Sequence, residues 1–169
     1  MTDPILIAYA TKHGSTMEVA DAIATALRDS GHEVELVPAS EVHELDGCSG
    51  IVLGGALYMG RWHKDAARFL KRHRLALAEL PLAVFAIGPK TIVESDVAAS
   101  RKQLDHALEA APELTPLAVA IFGGVVDPSK LRFPFKRMAA SDARDWDAIG
   151  AWGSEVAALF ARDGAGVSA

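Results

Sequence analysis

Short apolar runs alternate along this chain with longer segments that carry a helical repeat, and this alternation limits the folds open to it. Three of the runs are almost uninterrupted, as in strands of a parallel sheet whose two faces are both covered by helices. Residues 33–37 alternate between charged and apolar side chains instead, which predicts an edge strand with one face in water. The candidate strands are residues 5–10, 33–37, 50–54, 82–87 and 117–122. Strands that alternate with helices form right-handed βαβ units, so the sequence predicts an α/β fold, a three-layer α/β/α sandwich.

The segments between these strands have the 3.6-residue period of amphipathic helices. The first helix carries Val19, Ile23 and Leu27 on one side and is expected to end at Gly31. Further helices are predicted over residues 63–78, 96–110 and 145–161, the last with Asp145 as its N-cap. At 169 residues the chain is expected to be one domain, residues 1–163, followed by a flexible tail, residues 164–169.

Composition favours a cytoplasmic globular protein. Half of the residues are apolar and 23% are charged, and no apolar run approaches the roughly 20 residues that span a bilayer. Cys48 is the single cysteine, so the chain can form neither an internal disulfide nor a thiolate metal cluster. A cytoplasmic location is therefore expected, with membrane contact weak at most, through residues Phe133–Arg137.

The net charge of −5 is unevenly distributed. Residues 61–74 carry a local charge of +5, and residues 130–137 carry +4. Two interpretations stay open: a solvated helix face or loop, or a docking surface for an anionic partner or substrate. Aromatic residues do not interleave with these cations as they do in nucleic-acid-binding segments, so no nucleic-acid partner is expected.

The junction between the first strand and the first helix is the strongest functional motif. It reads Thr11-Lys12-His13-Gly14-Ser15-Thr16, a loop of small hydroxyl residues around one glycine. Unpaired N–H groups at a helix N-terminus carry the positive end of the helix dipole, and such a loop can surround one phosphate with donors. The motif predicts a site for a phosphate monoester; the alternative is a helix simply capped by Ser15 or Thr16.

Three other nucleotide or phosphate motifs do not fit this junction. A nucleoside-triphosphate P-loop ends in Gly-Lys-Ser/Thr, whereas Lys12 precedes the only glycine. A dinucleotide-binding loop needs three spaced glycines. A phospho-receiver domain needs acidic residues at the end of the first strand, where Tyr9 and Ala10 stand.

Other candidate ligand segments follow the third, fourth and fifth strands. Open parallel sheets bind ligands at the carboxyl ends of their strands, where strand order reverses, and all of these segments are expected there. In the segment after the third strand, Tyr58 or Trp62 can stack on a flat ring while glycines permit close backbone approach. The further candidate residues are Ala56, Leu57, Met59, Gly60, Gly88, Pro89, Lys90, Thr91, Gly123 and Gly124. The loops at Gly88 and Gly123 are equally compatible with plain turns.

Together these residues resemble a flavodoxin-type domain that binds FMN, over about residues 4–162. The resemblance implies a five-stranded parallel sheet of order 2-1-3-4-5 with FMN at the switch point. Within that superfamily, Gly54–His63 with the following Phe69 is similar to the menaquinone-dependent protoporphyrinogen dehydrogenase group. That likeness implies that Thr11–Thr16 hold the FMN phosphate, that backbone near Met59 and Gly60 meets the flavin, and that no side chain is needed as an acid or base.

The resemblance also implies an activity, for which two versions are open. The first is an FMN-dependent oxidoreductase that passes electrons between a reduced donor or tetrapyrrole-like substrate and a quinone-type acceptor. The second is a soluble flavodoxin-type electron carrier without turnover of its own. Electron-carrying flavodoxins usually surround the flavin with acids, whereas Arg61, His63 and Lys64 are basic here, so the enzyme is favoured. Expected partners are an anionic small-molecule redox substrate or quinone and a redox protein.

Overall fold

A computed structural model gives the fold and describes residues 3–11, 14–88, 94–126, 141–142 and 144–167. The strands are β1 (Ile5–Ala10), β2 (Val34–Pro38), β3 (Gly50–Tyr58), β4 (Arg61–Trp62), β5 (Leu82–Ile87), β6 (Ala118–Phe122), β7 (Val125–Val126) and β8 (Ser141–Asp142). The helices are α1 (Ser15–Asp29), α2 (Lys64–Arg72), α3 (Arg74–Leu77), α4 (Glu94–Leu108) and α5 (Trp146–Val167), with a 3₁₀ turn at Ala39–Glu41. Among the helices so described, none combines the length and the hydropathy that a membrane crossing requires.

The main sheet is parallel and runs in the order β2-β1-β3-β5-β6. With the two-residue strand β4 left out of the count, this is the expected order 2-1-3-4-5, and the α/β fold is confirmed. Ile5 lies opposite both Val34 of β2 and Gly50 of β3, so β1 has a strand on each side and the strand order reverses beside it. β4 pairs antiparallel with the end of β3, and β7 and β8 form a separate two-stranded ribbon.

Two apolar layers enclose the sheet because successive side chains of a strand point to opposite faces. In β1, Leu6, Ala8 and Ala10 pack beneath α2, α3 and α4, whereas Ile5 and Ile7 pack beneath α1 and α5. The same alternation continues in β3 and β5. The result is the predicted three-layer sandwich, whose strand ends and helix starts meet at one edge.

Several boundaries differ from those predicted. The third strand continues to Tyr58 and turns back as β4, where the sequence had indicated a loop after residue 54. The helix predicted over residues 63–78 is interrupted at His73, between α2 and α3. β6 is only half-buried because it ends the sheet, although its apolar run predicted cover on both faces. α5 extends beyond residue 161 to Val167, and the flexibility of residues 164–169 stays a prediction.

The predicted burial of Val19, Ile23 and Leu27 on one side of α1 is confirmed. Phe69, Leu70, His73 and Leu77 are all buried. Asp145 caps α5 as expected, since its Oδ1 accepts a hydrogen bond from Ala148 N at 3.0 Å. Burial lowers the pKa of the His73 imidazole, an effect reinforced by the nearby Arg72 and opposed by a backbone interaction with Val42.

Helices α1 and α5 approach closely at a glycine. A Cβ added at Gly153 would lie 2.7 Å from the Ala26 Cβ and 3.4 Å from the Ile23 carbonyl oxygen. A Cβ added at Gly150, on the same helix, would meet no atom within 4 Å. The two helices can therefore approach this closely only because residue 153 is a glycine, whereas a side chain at position 150 would not disturb their contact.

This contrast predicts opposite effects for the same substitution. Gly153→Ala is expected to lower the free energy of unfolding by about 1–3 kcal/mol, because it overpacks the helix contact. Gly150→Ala is expected to raise it by about 0.5–1 kcal/mol, because alanine has the higher helix propensity. Urea unfolding followed by far-UV circular dichroism measures both. Equal effects of the two variants would contradict the close approach of α1 and α5.

Candidate functional site at the carboxyl edge of the sheet

The connection from β1 to α1 presents an uncapped helix N-terminus. Gly14 occupies the N-cap position with φ +90°, a left-handed conformation that favours glycine, and no side chain caps the helix. The Gly14 N–H donates to Thr11 Oγ1 at 2.8 Å, which fixes the turn of the loop. The first backbone bond into the helix is donated by Glu18 to the Gly14 carbonyl. The N–H groups of Ser15, Thr16 and Met17 thus precede the intrahelical bonds, and no hydrogen bond joins them to another described residue, so they can donate to a ligand.

Thr16 adds a buried hydroxyl to these donors. Its side chain is fully buried, and its Oγ1 has no hydrogen-bond partner among the described residues. Leaving a buried hydroxyl unpaired costs about 1–3 kcal/mol, so such an atom calls for a partner. The alternative interpretation, in which Ser15 or Thr16 caps the helix, is wrong, because the helix already begins at Ser15.

An ion pair lies one turn along the same helix. The Arg144 guanidinium contacts the Glu18 carboxylate in the first turn of α1 and stacks over the Trp146 ring, 4.7 Å from its centroid. The Arg144 side chain is only 11% exposed. It therefore neutralises the carboxylate nearest this N-terminus and favours an anion there. Sequence analysis missed this pair, because its members lie far apart along the chain and belong to no local motif.

The segment after the core of β3 is a β-hairpin. Met59 and Gly60 have φ values of +53° and +78°, and Tyr58 pairs with Arg61 across the turn. Two consecutive positive φ values in a two-residue loop define a type I′ turn, which suits the twist of paired strands. Met59 is 70% exposed in a conformation that side-chain-bearing residues rarely adopt. A strained, exposed residue of this kind is typical of a binding surface.

The two aromatic candidates of the hairpin have different environments. Trp62 is buried in the core, and its Nε1–H donates to the Gly55 carbonyl at 3.0 Å. Tyr58 is 40% exposed near the hairpin tip. Gly54 and Gly55 have packing roles, since an added Cβ would collide with the Phe85 ring or with Trp62. In this arrangement Tyr58 is the aromatic ring accessible to a ligand.

The remaining candidate loops meet one another. A Cβ at Gly88 would lie 2.9 Å from Leu57 Cδ1, and one at Gly124 would lie 3.2 Å from the Gly88 carbonyl oxygen. The Gly88 N–H also donates to Phe122 O at 3.0 Å. Ala56 joins the same edge through its carbonyl, which accepts from His63 N, and Gly123 follows the end of β6. The edge therefore brings together the ends of β3, β5 and β6, next to the end of β1.

Five candidate residues, and the segment expected to touch a membrane, lie outside the described part of the chain. They are Lys12, His13, Pro89, Lys90 and Thr91, and the segment is Phe133–Arg137.

Cys48 lies just before β3, at the edge of the sheet opposite the candidate site. Burial raises the pKa of its thiol, and the nearby acids Glu35, Asp3 and Asp46 raise it further. Within the described residues, no group of His, Cys, Asp and Glu could hold a metal ion.

A family model described as a flavodoxin domain matches residues 6–141. The chain belongs to the flavodoxin domain family. Membership implies flavin binding. The architecture of the sheet agrees with the family assignment. A short-chain flavodoxin associated with a PDU bacterial microcompartment is similar over 96% of this chain and 99% of its own, with a TM-score of 0.63 and 16% identity.

Two further relatives add sequence likeness. Oxidised flavodoxin 2 from Bacillus cereus is 25% identical, with a TM-score of 0.58 over 95% of this chain and 99% of its own. Protoporphyrinogen IX dehydrogenase [quinone] from Escherichia coli (strain K12) is 25% identical over 85 residues, which are 49% of this chain. The matched region spans 47% of that relative's length, about half of it.

The turn geometry predicts a stabilising substitution. Met59→Asn should raise the free energy of unfolding by about 0.5–1 kcal/mol, because asparagine tolerates the left-handed region better than methionine. Gly60→Ala should lower it by about 1–2 kcal/mol through the strain of its positive φ. Urea unfolding of the two variants beside the parent protein measures both. A neutral Gly60→Ala would contradict the type I′ turn.

Proposed function

We propose that this protein binds FMN at the carboxyl edge of its sheet and acts as an FMN-dependent oxidoreductase. Its substrates would be a reduced donor or tetrapyrrole-like compound and a quinone-type acceptor. The observation that carries the FMN assignment is the buried, unpartnered Thr16 Oγ1 beside the uncapped N-terminus of α1. Both features fit a phosphate monoester, the group that distinguishes FMN from riboflavin.

The phosphate fits this N-terminus for electrostatic reasons. The N–H groups of Ser15, Thr16 and Met17 would donate to it at the positive end of the helix dipole. Thr16 Oγ1 would supply a further donor, and Thr11 would keep the loop in shape by accepting from Gly14 N. Lys12 and His13, which lie between Thr11 and Gly14 in the sequence, complete the proposed phosphate loop.

The flavin ring would lie against the hairpin. Tyr58 offers an exposed aromatic face for stacking, and the Met59–Gly60 turn offers backbone groups at the ring edge. The loops that begin at Gly88 and Gly123, with Pro89, Lys90, Thr91 and Gly124, would form the other wall. When bound, FMN supplies the electron-transfer chemistry, and the protein contributes binding, orientation and the surrounding charge.

The sequence likeness to the quinone-linked dehydrogenase supports the oxidoreductase assignment. Arg61 and Lys64, at the start and just beyond the end of β4, give the proposed flavin edge a positive charge that suits an anionic substrate. A soluble electron carrier is the second candidate, favoured by the 25% identity to flavodoxin 2 over nearly the whole chain. The two candidates differ in whether the chain itself turns a substrate over.

Steady-state kinetics distinguishes them. The FMN-loaded protein is expected to oxidise protoporphyrinogen with a menaquinone analogue as acceptor, followed by the fluorescence of the porphyrin product. Omission of either the flavin or the quinone under anaerobic conditions should reduce the rate to background. Stable FMN binding without turnover would favour the carrier and contradict the enzyme.

Substitutions at Thr16 test the phosphate site itself. Thr16→Val retains the side-chain shape and should weaken FMN binding about tenfold, the equivalent of one lost hydrogen bond to a charged group. Its affinity for riboflavin, which has no phosphate, should stay unchanged. Thr16→Glu should abolish FMN uptake, because it sets a negative charge against the phosphate. Quenching of flavin fluorescence measures all of these affinities.

Thr25→Val is the matched control, since Thr25 lies on the exposed side of α1 and its hydroxyl donates to the Asp21 carbonyl within the same helix. Its flavin affinities should equal those of the parent. Thr16→Val should fold normally, because the Thr16 hydroxyl has no partner among the described residues to lose. A Thr16→Val protein that retains full FMN affinity would therefore place the phosphate elsewhere.

A further inference from the structure

The outer face of α2 carries a line of cations, here called the basic stripe: Lys64, Arg68, Lys71 and Arg72. Their successive spacings of four, three and one residues put them on one side of the helix. Ala66, Phe69 and Leu70 occupy the opposite side and are buried in the core. All four cations are exposed, and no ion pair joins them to another described residue.

Helix stability does not account for this stripe. Lys64 and Arg68, and Arg68 and Arg72, are like charges four residues apart, an arrangement that destabilises a helix. Lys64 also occupies the first helical position, where the dipole disfavours a cation. The single acid of the helix, Asp65, lies within 3.9 Å of His63. The stripe is therefore a positive surface that no acid of the described residues pairs with, in a chain whose net charge is −5.

The stripe begins at the proposed flavin edge. α2 starts directly after the hairpin, and Arg61 at the hairpin pairs with Tyr58 next to the exposed Met59. An apolar centre at the hairpin tip thus adjoins a positively charged rim. Small interfaces with this composition are typical of transient electron-transfer complexes, in which complementary charge sets the rate of encounter.

We propose that Arg61 and the basic stripe form the docking surface for an acidic electron-transfer protein. The inference rests on the proposed function, because the hairpin tip is where the flavin would be exposed. Outside the two basic segments, residues 61–74 and 130–137, the chain carries a net charge of −14, which would repel an acidic partner from the rest of the surface.

The geometry favours a protein over other anions. From Lys64 to Arg72 the stripe extends about 12 Å along a convex helix, more than one small substrate can cover. A helix that binds a lipid surface inserts its apolar side into the bilayer, and the apolar side of α2 is already packed in the core. An acidic protein surface can contact the entire stripe without requiring either a cavity or a free apolar face.

Charge reversal at the centre of the stripe tests the proposal, with a plant-type [2Fe–2S] ferredoxin as the acidic probe. Arg68→Glu should lower the association rate constant for this ferredoxin about tenfold at low ionic strength. The rate for the parent protein should fall steeply as salt is added, because the steering is electrostatic. The introduced carboxylate can pair with Lys64 and Arg72, so the variant is expected to fold. Surface plasmon resonance measures the rate for both apo-protein and FMN-loaded protein.

Arg162→Glu is the matched control, because it makes the same charge change at an exposed position of α5, on the other face of the sheet. It should leave the association rate within about twofold of the parent. If both variants lose the same fraction of the association rate, the docking proposal is wrong, and the loss reflects the change in net charge alone. Binding of the parent to phosphatidylglycerol vesicles but not to ferredoxin would also overturn it.

The flavin titration of each variant separates this inference from the proposed function. If Arg68→Glu binds FMN normally and also binds ferredoxin at the parent's rate, the docking surface is wrong and the FMN site stands. If the parent itself takes up no FMN, the proposed function fails, whatever the ferredoxin rates are.

Discussion

The uncapped N-terminus of α1 is the constraint on which the account depends. Helices commonly satisfy one of their first donors with a capping side chain, and here the N-cap is Gly14, which has none. The buried Thr16 hydroxyl beside it has no partner among the described residues. A folded protein tolerates this combination where a ligand supplies the missing acceptor, and a phosphate supplies several at once.

The fold places the other candidate groups around that N-terminus. Strand order reverses at β1, so the start of α1 and the β3–β4 hairpin come from neighbouring strands and reach the same edge. Buried glycines in β3 give space to the rings of Phe85 and Trp62, which pack on opposite faces of the sheet. Tyr58 and Met59, exposed at the tip of the β3–β4 hairpin, are held in place by the pairing of its two strands.

Much of this arrangement could be predicted from the sequence because it follows from local patterns. Apolar runs located β1 and β5 to the residue, and hydroxyl residues around Gly14 marked the loop. The hairpin was missed because its two glycines in β3 resembled loop residues, and only the packing of distant rings explains them. The burial of Trp62 and the pairing of Arg144 with Glu18 depend on tertiary contacts, so no local pattern could predict them.

A crystal structure of the protein with FMN tests the central claim most directly. The account predicts the phosphate within hydrogen-bond distance of the Ser15 and Thr16 N–H groups and of Thr16 Oγ1, with the flavin ring against the Tyr58–Gly60 turn. A phosphate bound elsewhere, or a loop closed by its own side chains in the presence of saturating FMN, would contradict it.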